Sequence, residues 1–178
     1  GEEKGRLVKI FDFKNPQNNE FLVVNQCAIQ GIEKVRRPDV VIFVNGIPLV
    51  VIELKNATDE NADMRSAFKQ IQTYKAIIPS LFTYNSICII SDGLECKAGS
   101  VSADFGRYMT WKTSDGVKED SRFKPQLETL LKGMLNPSTL LDLVRNFIVF
   151  EKTRREVEVS PKSRDEGNGN AKTGLTQI

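Results

Sequence analysis

The chain contains no histidine. That absence excludes Ser-His-Asp and Cys-His hydrolysis, His-ligated zinc, and nuclease chemistry built on a histidine base or nucleophile. Hydrolysis by this chain alone must rest on carboxylates, lysine and a hard metal ion. Cysteine is scarce: Cys27, Cys88 and Cys96 are odd in number and lack metal-like spacing. Cys27 and Cys88 lie in apolar, strand-like contexts, so reduced core thiols in a cytosolic protein are expected. No apolar run approaches the roughly 20 residues of a membrane helix, and no secretory leader is visible, so no membrane partner is expected. An excess of charge of one sign is also missing. The formal net charge of +2 neither demands nor forbids nucleic acid, and a DNA-binding face would have to come from local clustering.

What is present suits one domain with a real core. The chain has 178 residues, 40% apolar and 27% charged, as in ordinary globular proteins. Residues 7–13 read as a strand broken at Asn15-Pro16, and residues 21–29 as a second. Residues 39–44 and 47–54 form two arms around Asn45-Gly46, the strongest short hairpin signal. A two-residue turn sets Val44 opposite Ile47 and hence Asp39 opposite Ile52. Glu53 is then expected as a diagonal neighbour of Asp39 at the open end of the hairpin. Thr58 is the expected cap of a helix carrying Met64, Ala67, Phe68, Ile71, Tyr74 and Ile78 at helical spacing, ended by Pro79. Residues 86–93 read as a buried strand, 101–113 as short strand-like pieces around Trp111, and 123–135 and 137–145 as amphipathic helices. Residues 147–150 are a last apolar segment. From Glu151 the chain turns charged and then Gly/Asn-rich, as a linker would be. Within it, residues 167–173 look superficially like a phosphate-binding loop but lack the glycine required before Lys172.

The unusual chemistry sits in Pro38-Asp39 and Glu53-Leu54-Lys55. Strands this apolar end in two acids and a lysine rather than in core. Carboxylates gathered away from water repel and cost several kcal/mol each to desolvate unless compensated. A divalent cation supplies that compensation, and a metal between two carboxylates is a hydrolytic site for phosphodiesters. The structural alternative is an ion pair of Lys55 with Glu53 or Asp39.

The pattern Pro38-Asp39 … Glu53-Leu54-Lys55 resembles the active-site motif of the PD-(D/E)xK nuclease superfamily. The wording around it is closer still to one family. Arg37-Pro38-Asp39, Asn45-Gly46, Val51-Ile52-Glu53-Leu54-Lys55, Asp59-Glu60-Asn61-Ala62, Gln72-Thr73-Tyr74-Lys75, residues 77–82 and Ser91-Asp92-Gly93 resemble the N-terminal nuclease domain of the restriction (motor) subunit of type I restriction–modification enzymes. Residues 146–151 resemble the passage toward the ATP-driven translocase of that subunit. The similarity runs over roughly residues 5–151.

The resemblance implies an α/β fold of the restriction-endonuclease type: a central mixed sheet of about five strands, flanked by helices, with the hairpin in its centre. The nuclease domain would occupy residues 1–150, as part of a longer chain, with residues 151–178 a linker toward an absent ATPase motor. The implied activity is Mg²⁺-dependent endonucleolytic cleavage of double-stranded DNA in a prokaryotic cytoplasm, with partner methyltransferase and specificity subunits. ATP would serve only the full-length subunit. Asp39, Glu53 and Lys55 are the expected catalytic residues. Asp39, Glu53 and the Leu54 carbonyl would hold the metal, and Lys55 would sit beside the attacking water. The family's Gln-x-x-x-Tyr motif is matched by Gln70 and Tyr74, which share a helix face. They would orient the hairpin or contact a DNA phosphate; a core aromatic with a polar tip is the structural alternative for Tyr74. Arg36 and Arg37 are candidate phosphate anchors or a solvated basic loop. Lys69 and Lys75 are candidate DNA contacts or ordinary surface charge. Many superfamily members carry another acid on a helix upstream of the hairpin. This chain offers none there, and Glu20 substitutes poorly. A docking or DNA-guiding module with a degenerate metal site is therefore the competing expectation.

Overall fold

The computed structural model of the protein describes residues 8–56 and 63–149. Among the described residues seven strands run in chain order: β1 (Phe21–Asn25), β2 (Ile29–Gln30), β3 (Val35–Arg36), β4 (Val40–Val44), β5 (Ile47–Leu54), β6 (Ile87–Ser91) and β7 (Cys96–Ser100). Five of them form a mixed sheet in the order β1-β4-β5-β6-β7, while β2 and β3 pair separately. Only β5 and β6 run parallel. The expected α/β architecture, a five-stranded mixed sheet with the hairpin at its centre, is what the chain forms. Its helices are α1 (Met64–Ile77), α2 (Pro79–Phe82), α3 (Gln126–Gly133) and α4 (Pro137–Asn146).

The hairpin departs from the expected register in one respect that governs the site. Asn45 and Gly46 take φ of +50° and +80°, the two positive angles of a type I′ turn. Val44 pairs with Ile47 and Phe43 with Pro48, but Ile42 then pairs with Val50. Leu49 is the extra residue of a β-bulge. Val40 therefore lies opposite Ile52, and continuing the ladder by one sets Asp39 opposite Glu53 rather than Ile52. Directly opposed residues share a face of the sheet, and a one-residue slip moves a side chain to the other face. Without the bulge, Asp39 and Glu53 would have pointed to opposite sides.

The core confirms which face is which. Val41, Val51, Cys88 and Ile90 pack with Met64, Ala67, Ile71 and Tyr74 of α1. Ile42, Val50, Ile52 and Ile89 pack on the other side with Leu130, Leu140 and Leu141 of α3 and α4. Leu49 and Val50, consecutive in sequence, both belong to this second cluster, the packing consequence of the bulge. By alternation along β4 and β5, Asp39 and Glu53 fall on the α1 side.

Helix α1 begins at Met64, with Asp63 as its cap. The Asp63 carboxylate accepts the Ser66 N–H, and the Ser66 hydroxyl returns a bond to the cap. Thr58, the expected cap, lies outside the described residues, as do residues 1–7 and 150–178 with the linker assigned to 151–178. Residues 8–13 are not a strand. The Asp12 carboxylate accepts the N–H groups of Lys14 and Asn15, and the Asn19 side chain closes on both the N–H and carbonyl of Asp12. Phe11 and Phe13 pack individually against the second cluster. The strand expected over 21–29 stops at Asn25 because Gln26 turns the chain with φ of +48°. Strand β7 had no sequence signal, since Lys97, Ala98 and Gly99 carry no β-branched side chain. It forms because Gly99 lets the Tyr108 ring approach to 2.7 Å from where a Cβ would stand. The three cysteines are free thiols. Burial pushes the Cys88 thiol up to about 11 and the Cys96 thiol up to about 12.

Asp120 ties down the excursion between β7 and α3. Its carboxylate accepts from Lys124 Nζ at 2.8 Å, Thr129 Oγ1 at 2.8 Å and Ser114 Oγ at 3.0 Å. Led by the Lys124 bond, these hold its pKa down to about 2. A depressed carboxyl stabilises the fold above its unfolded pKa, about 3.9, and that contribution fades as pH falls through the folded value. Asp120→Asn should therefore melt below wild type at pH 7, with the gap closing between about pH 4 and 2. Parallel thermal melts across that range check it, and a gap independent of pH would remove charge from the account.

Candidate active site

Asp39 immediately precedes β4 at the open end of the hairpin, where β5 also ends. Each oxygen of its carboxylate has a donor. The Leu54 N–H reaches Oδ2 at 2.8 Å, and Gln26 Nε2 reaches Oδ1 at 2.6 Å. The Gln26 N–H also bonds the Asp39 carbonyl at 2.8 Å. Asp39 is thereby held from both flanking strands.

Glu53 is buried, with 3% of its surface exposed. Lys55 Nζ lies 2.8 Å from its Oε1, and the Tyr74 hydroxyl 3.1 Å from its Oε2. Burial raises the Glu53 pKa; the Lys55 bond opposes this, and the Asp39 charge adds to it. The balance of burial and the Asp39 charge against the one ammonium disfavours the charged form of Glu53. Burial also pushes the Tyr74 phenol up to about 12, against the bond from Gln70 and with the charge of Glu53. Tyr74 stays a protonated donor at any physiological pH. Its hydroxyl lies 3.3 Å from the Arg37 carbonyl as well. With one proton to give, it serves the nearer and charged acceptor first.

The structure therefore brings Asp39, Glu53, Lys55, Gln70 and Tyr74 together, and Leu54 enters through its backbone. The Lys55–Glu53 contact is an ion pair, as the structural alternative held, joining a part-exposed lysine to a buried acid: the Lys55 side chain is 27% exposed and that of Glu53 4%. The Lys55 N–H bonds the Ser91 carbonyl at 2.8 Å, extending the pairing with β6 by one residue. The outer candidates do not converge. Arg37 is exposed and meets the site through its carbonyl. Arg36 lies in β3 and lines a hollow with Ala76 and Ile77 near the far end of α1. Lys75 is spent on the Val101 carbonyl, and Lys69 is exposed. Glu20 precedes β1 beside the Asn45 turn, at the opposite end of the hairpin. Among the described residues no third His, Cys, Asp or Glu joins Asp39 and Glu53.

Sequence reasoning missed Gln26, which read as the interior of a strand, and no sequence signal marked it. Gln26, Asp39, Lys55, Asn25 and Asn56 line an open groove of about 360 Å³. A separate apolar groove of about 410 Å³ runs toward α3 and α4 through Val23, Ile52 and Leu131, with no acid or base lining it. Among the described residues no helix is long and apolar enough to cross a membrane.

Comparison with known proteins places this geometry in context. Residues 1–107 match the family model described as type I restriction enzyme R protein N terminus. A type I restriction enzyme HindI endonuclease subunit from Haemophilus influenzae is 46% identical over 155 residues, covering 85% of this chain and 15% of that protein. A Methanocaldococcus jannaschii protein, provisionally named the MjaIXP endonuclease subunit of a type I restriction enzyme, is 34% identical over 86% of this chain and 16% of its own length. The SauCOLORF180P endonuclease subunit of Staphylococcus aureus is 29% identical over 86% and 16% respectively. The chain thus spans about one sixth of the length of these relatives.

Proposed function

The chain belongs to the type I restriction enzyme R protein N-terminal family, and on that footing we propose that it is the nuclease module of such a subunit, hydrolysing phosphodiesters of double-stranded DNA with Mg²⁺. The observation that carries this reading is the buried, under-compensated Glu53 carboxylate on the same sheet face as Asp39, with Lys55 paired to it.

The donor set suits the ion. Mg²⁺ is commonly bound by one or two carboxylates with waters filling the octahedron, so a third acid is not required. Asp39 and Glu53 would hold it, with the Leu54 carbonyl, which leaves the strand on the same side as the N–H that meets Asp39. Once bound, Mg²⁺ would polarise the scissile phosphate and make a bound water acidic. Lys55 would orient the attacking water and offset charge growing on the phosphate. Tyr74, steadied by Gln70, holds Glu53 in place. Base recognition and methylation would belong to specificity and methyltransferase subunits. ATP-driven translocation would belong to the rest of the longer polypeptide.

Titration calorimetry tests the metal assignment. Mg²⁺ or Mn²⁺ should bind the wild-type chain saturably, and Asp39→Ala should abolish the binding. Equal binding by the two proteins discards the assignment. One observation favours a second reading, a docking or DNA-guiding module with a degenerate site: Lys55 already occupies an oxygen of Glu53. Substitution of Glu53, discussed below, separates the two.

A further inference from the structure

We propose that Gln26 is a positioning residue for metal binding, fixing the plane of the Asp39 carboxylate through its side-chain amide. The inference rests on the metal reading above and assigns a role to a residue outside the Asp39, Glu53 and Lys55 motif.

Three observations carry it. Gln26 Nε2 meets Asp39 Oδ1 at 2.6 Å while the Leu54 N–H meets Oδ2 at 2.8 Å. Donors from β5 and from the turn that ends β1, on either side of β4, thus hold both oxygens of a side chain that lies just outside the ladder. Each oxygen keeps a lone pair for a cation. The backbone of Gln26 does not account for a glutamine there. At φ of +48° glycine or asparagine would be the less strained choice, and the residue is exposed, so packing does not select it. Its chemistry does fit the task. A neutral amide orients a carboxylate without neutralising it, whereas lysine or arginine would compete with the cation for the same charge. Partners one step behind a metal ligand set its orientation, and losing one typically lowers metal affinity roughly 10–100-fold.

Two substitutions in the full 178-residue chain test this, read by Mg²⁺ calorimetry and by thermal melting in EDTA. Gln26→Met keeps the length of the side chain without its donor. Gln26→Gly removes the side chain but suits the left-handed backbone. Both should weaken Mg²⁺ binding roughly 10–100-fold, and Gln26→Gly should melt no lower than wild type. A merely structural role predicts the reverse: both variants melt lower than wild type in EDTA while their Mg²⁺ affinity stays intact. Unchanged affinity in both variants, with Asp39→Ala abolishing binding, overturns the role of Gln26 and leaves the metal site standing. Absent binding in wild type, or binding that survives Asp39→Ala, overturns both.

Discussion

Lys55→Ala in the full-length subunit should remove DNA cleavage, by at least roughly 100–1000-fold, the usual cost of deleting one donor aimed at developing charge. On the proposed reading, in which a motor lies elsewhere in a longer subunit, ATP hydrolysis and translocation should persist, because Lys55 stands just past β5 beside Glu53 and lines the groove. The substitution also strips Glu53 of its only ion-pair partner among the described residues. A buried carboxylate so deprived takes up a proton more readily, raising further a pKa that burial already lifts. A raised folded pKa favours the protonated fold, so the cost of Lys55→Ala is largest above that pKa and disappears as pH falls below the unfolded value, about 4.3. Cleavage and ATPase assays on the assembled enzyme, with thermal melts of the variant at pH 8 and pH 4, read both effects. Cleavage retained within a few-fold would falsify the assignment of Lys55.

Glu53→Gln should also abolish cleavage, yet make the chain more stable without metal. Glutamine keeps an acceptor for the Tyr74 hydroxyl but removes a charge that burial and Asp39 disfavour. Lys55, still part-exposed, can turn its ammonium to water. Relieving a functional site of such a group commonly adds about 0.5–2 kcal/mol, or a few degrees in Tm for a domain of this size. The gain should be fully present at pH 8 in EDTA. It should shrink as pH falls through the raised pKa of Glu53 and vanish below about 4.3, where wild type is protonated in both states. Added Mg²⁺ should raise the Tm of wild type and leave that of the variant unchanged. The opposite result, a variant less stable than wild type at pH 8 in EDTA, would mean that Lys55 and Tyr74 fully compensate Glu53. The pair would then be a structural ion pair, and the docking reading would gain.

These two residues were legible before any fold was known because their chemistry conflicts with their setting. Apolar strands ending in acids and a lysine form a local contradiction, and such contradictions gather at functional sites. The hairpin was equally legible, since Asn45-Gly46 meets the backbone demand of a type I′ turn on its own. Helix α1 was visible through its apolar period, although its described start rests on Asp63, a cap whose partner Ser66 matters only once the turn has formed. Less was visible where a segment depends on distant partners. Residues 8–13 alternate like a strand but close on Asn19 instead. Strand β7 reads as no strand and is recruited by β6 and the Tyr108 ring.

The sequence by itself determined the two arms of the central hairpin, the turn that joins β4 to β5, and the placing of Asp39, Glu53 and Lys55 at their ends. It did not determine which face of the sheet those residues occupy. The bulge at Leu49 decided that, because Leu49 and Val50 both find apolar partners on the α3 and α4 side. Side-chain direction alternates with a period of two, so one extra residue between the arms exchanges the faces. The tertiary structure also chose the partners: Gln26 for Asp39, and Tyr74 and Lys55 for Glu53. Gln26 and Tyr74 lie on separate elements, brought to their acids only when β1 and α1 dock on the hairpin.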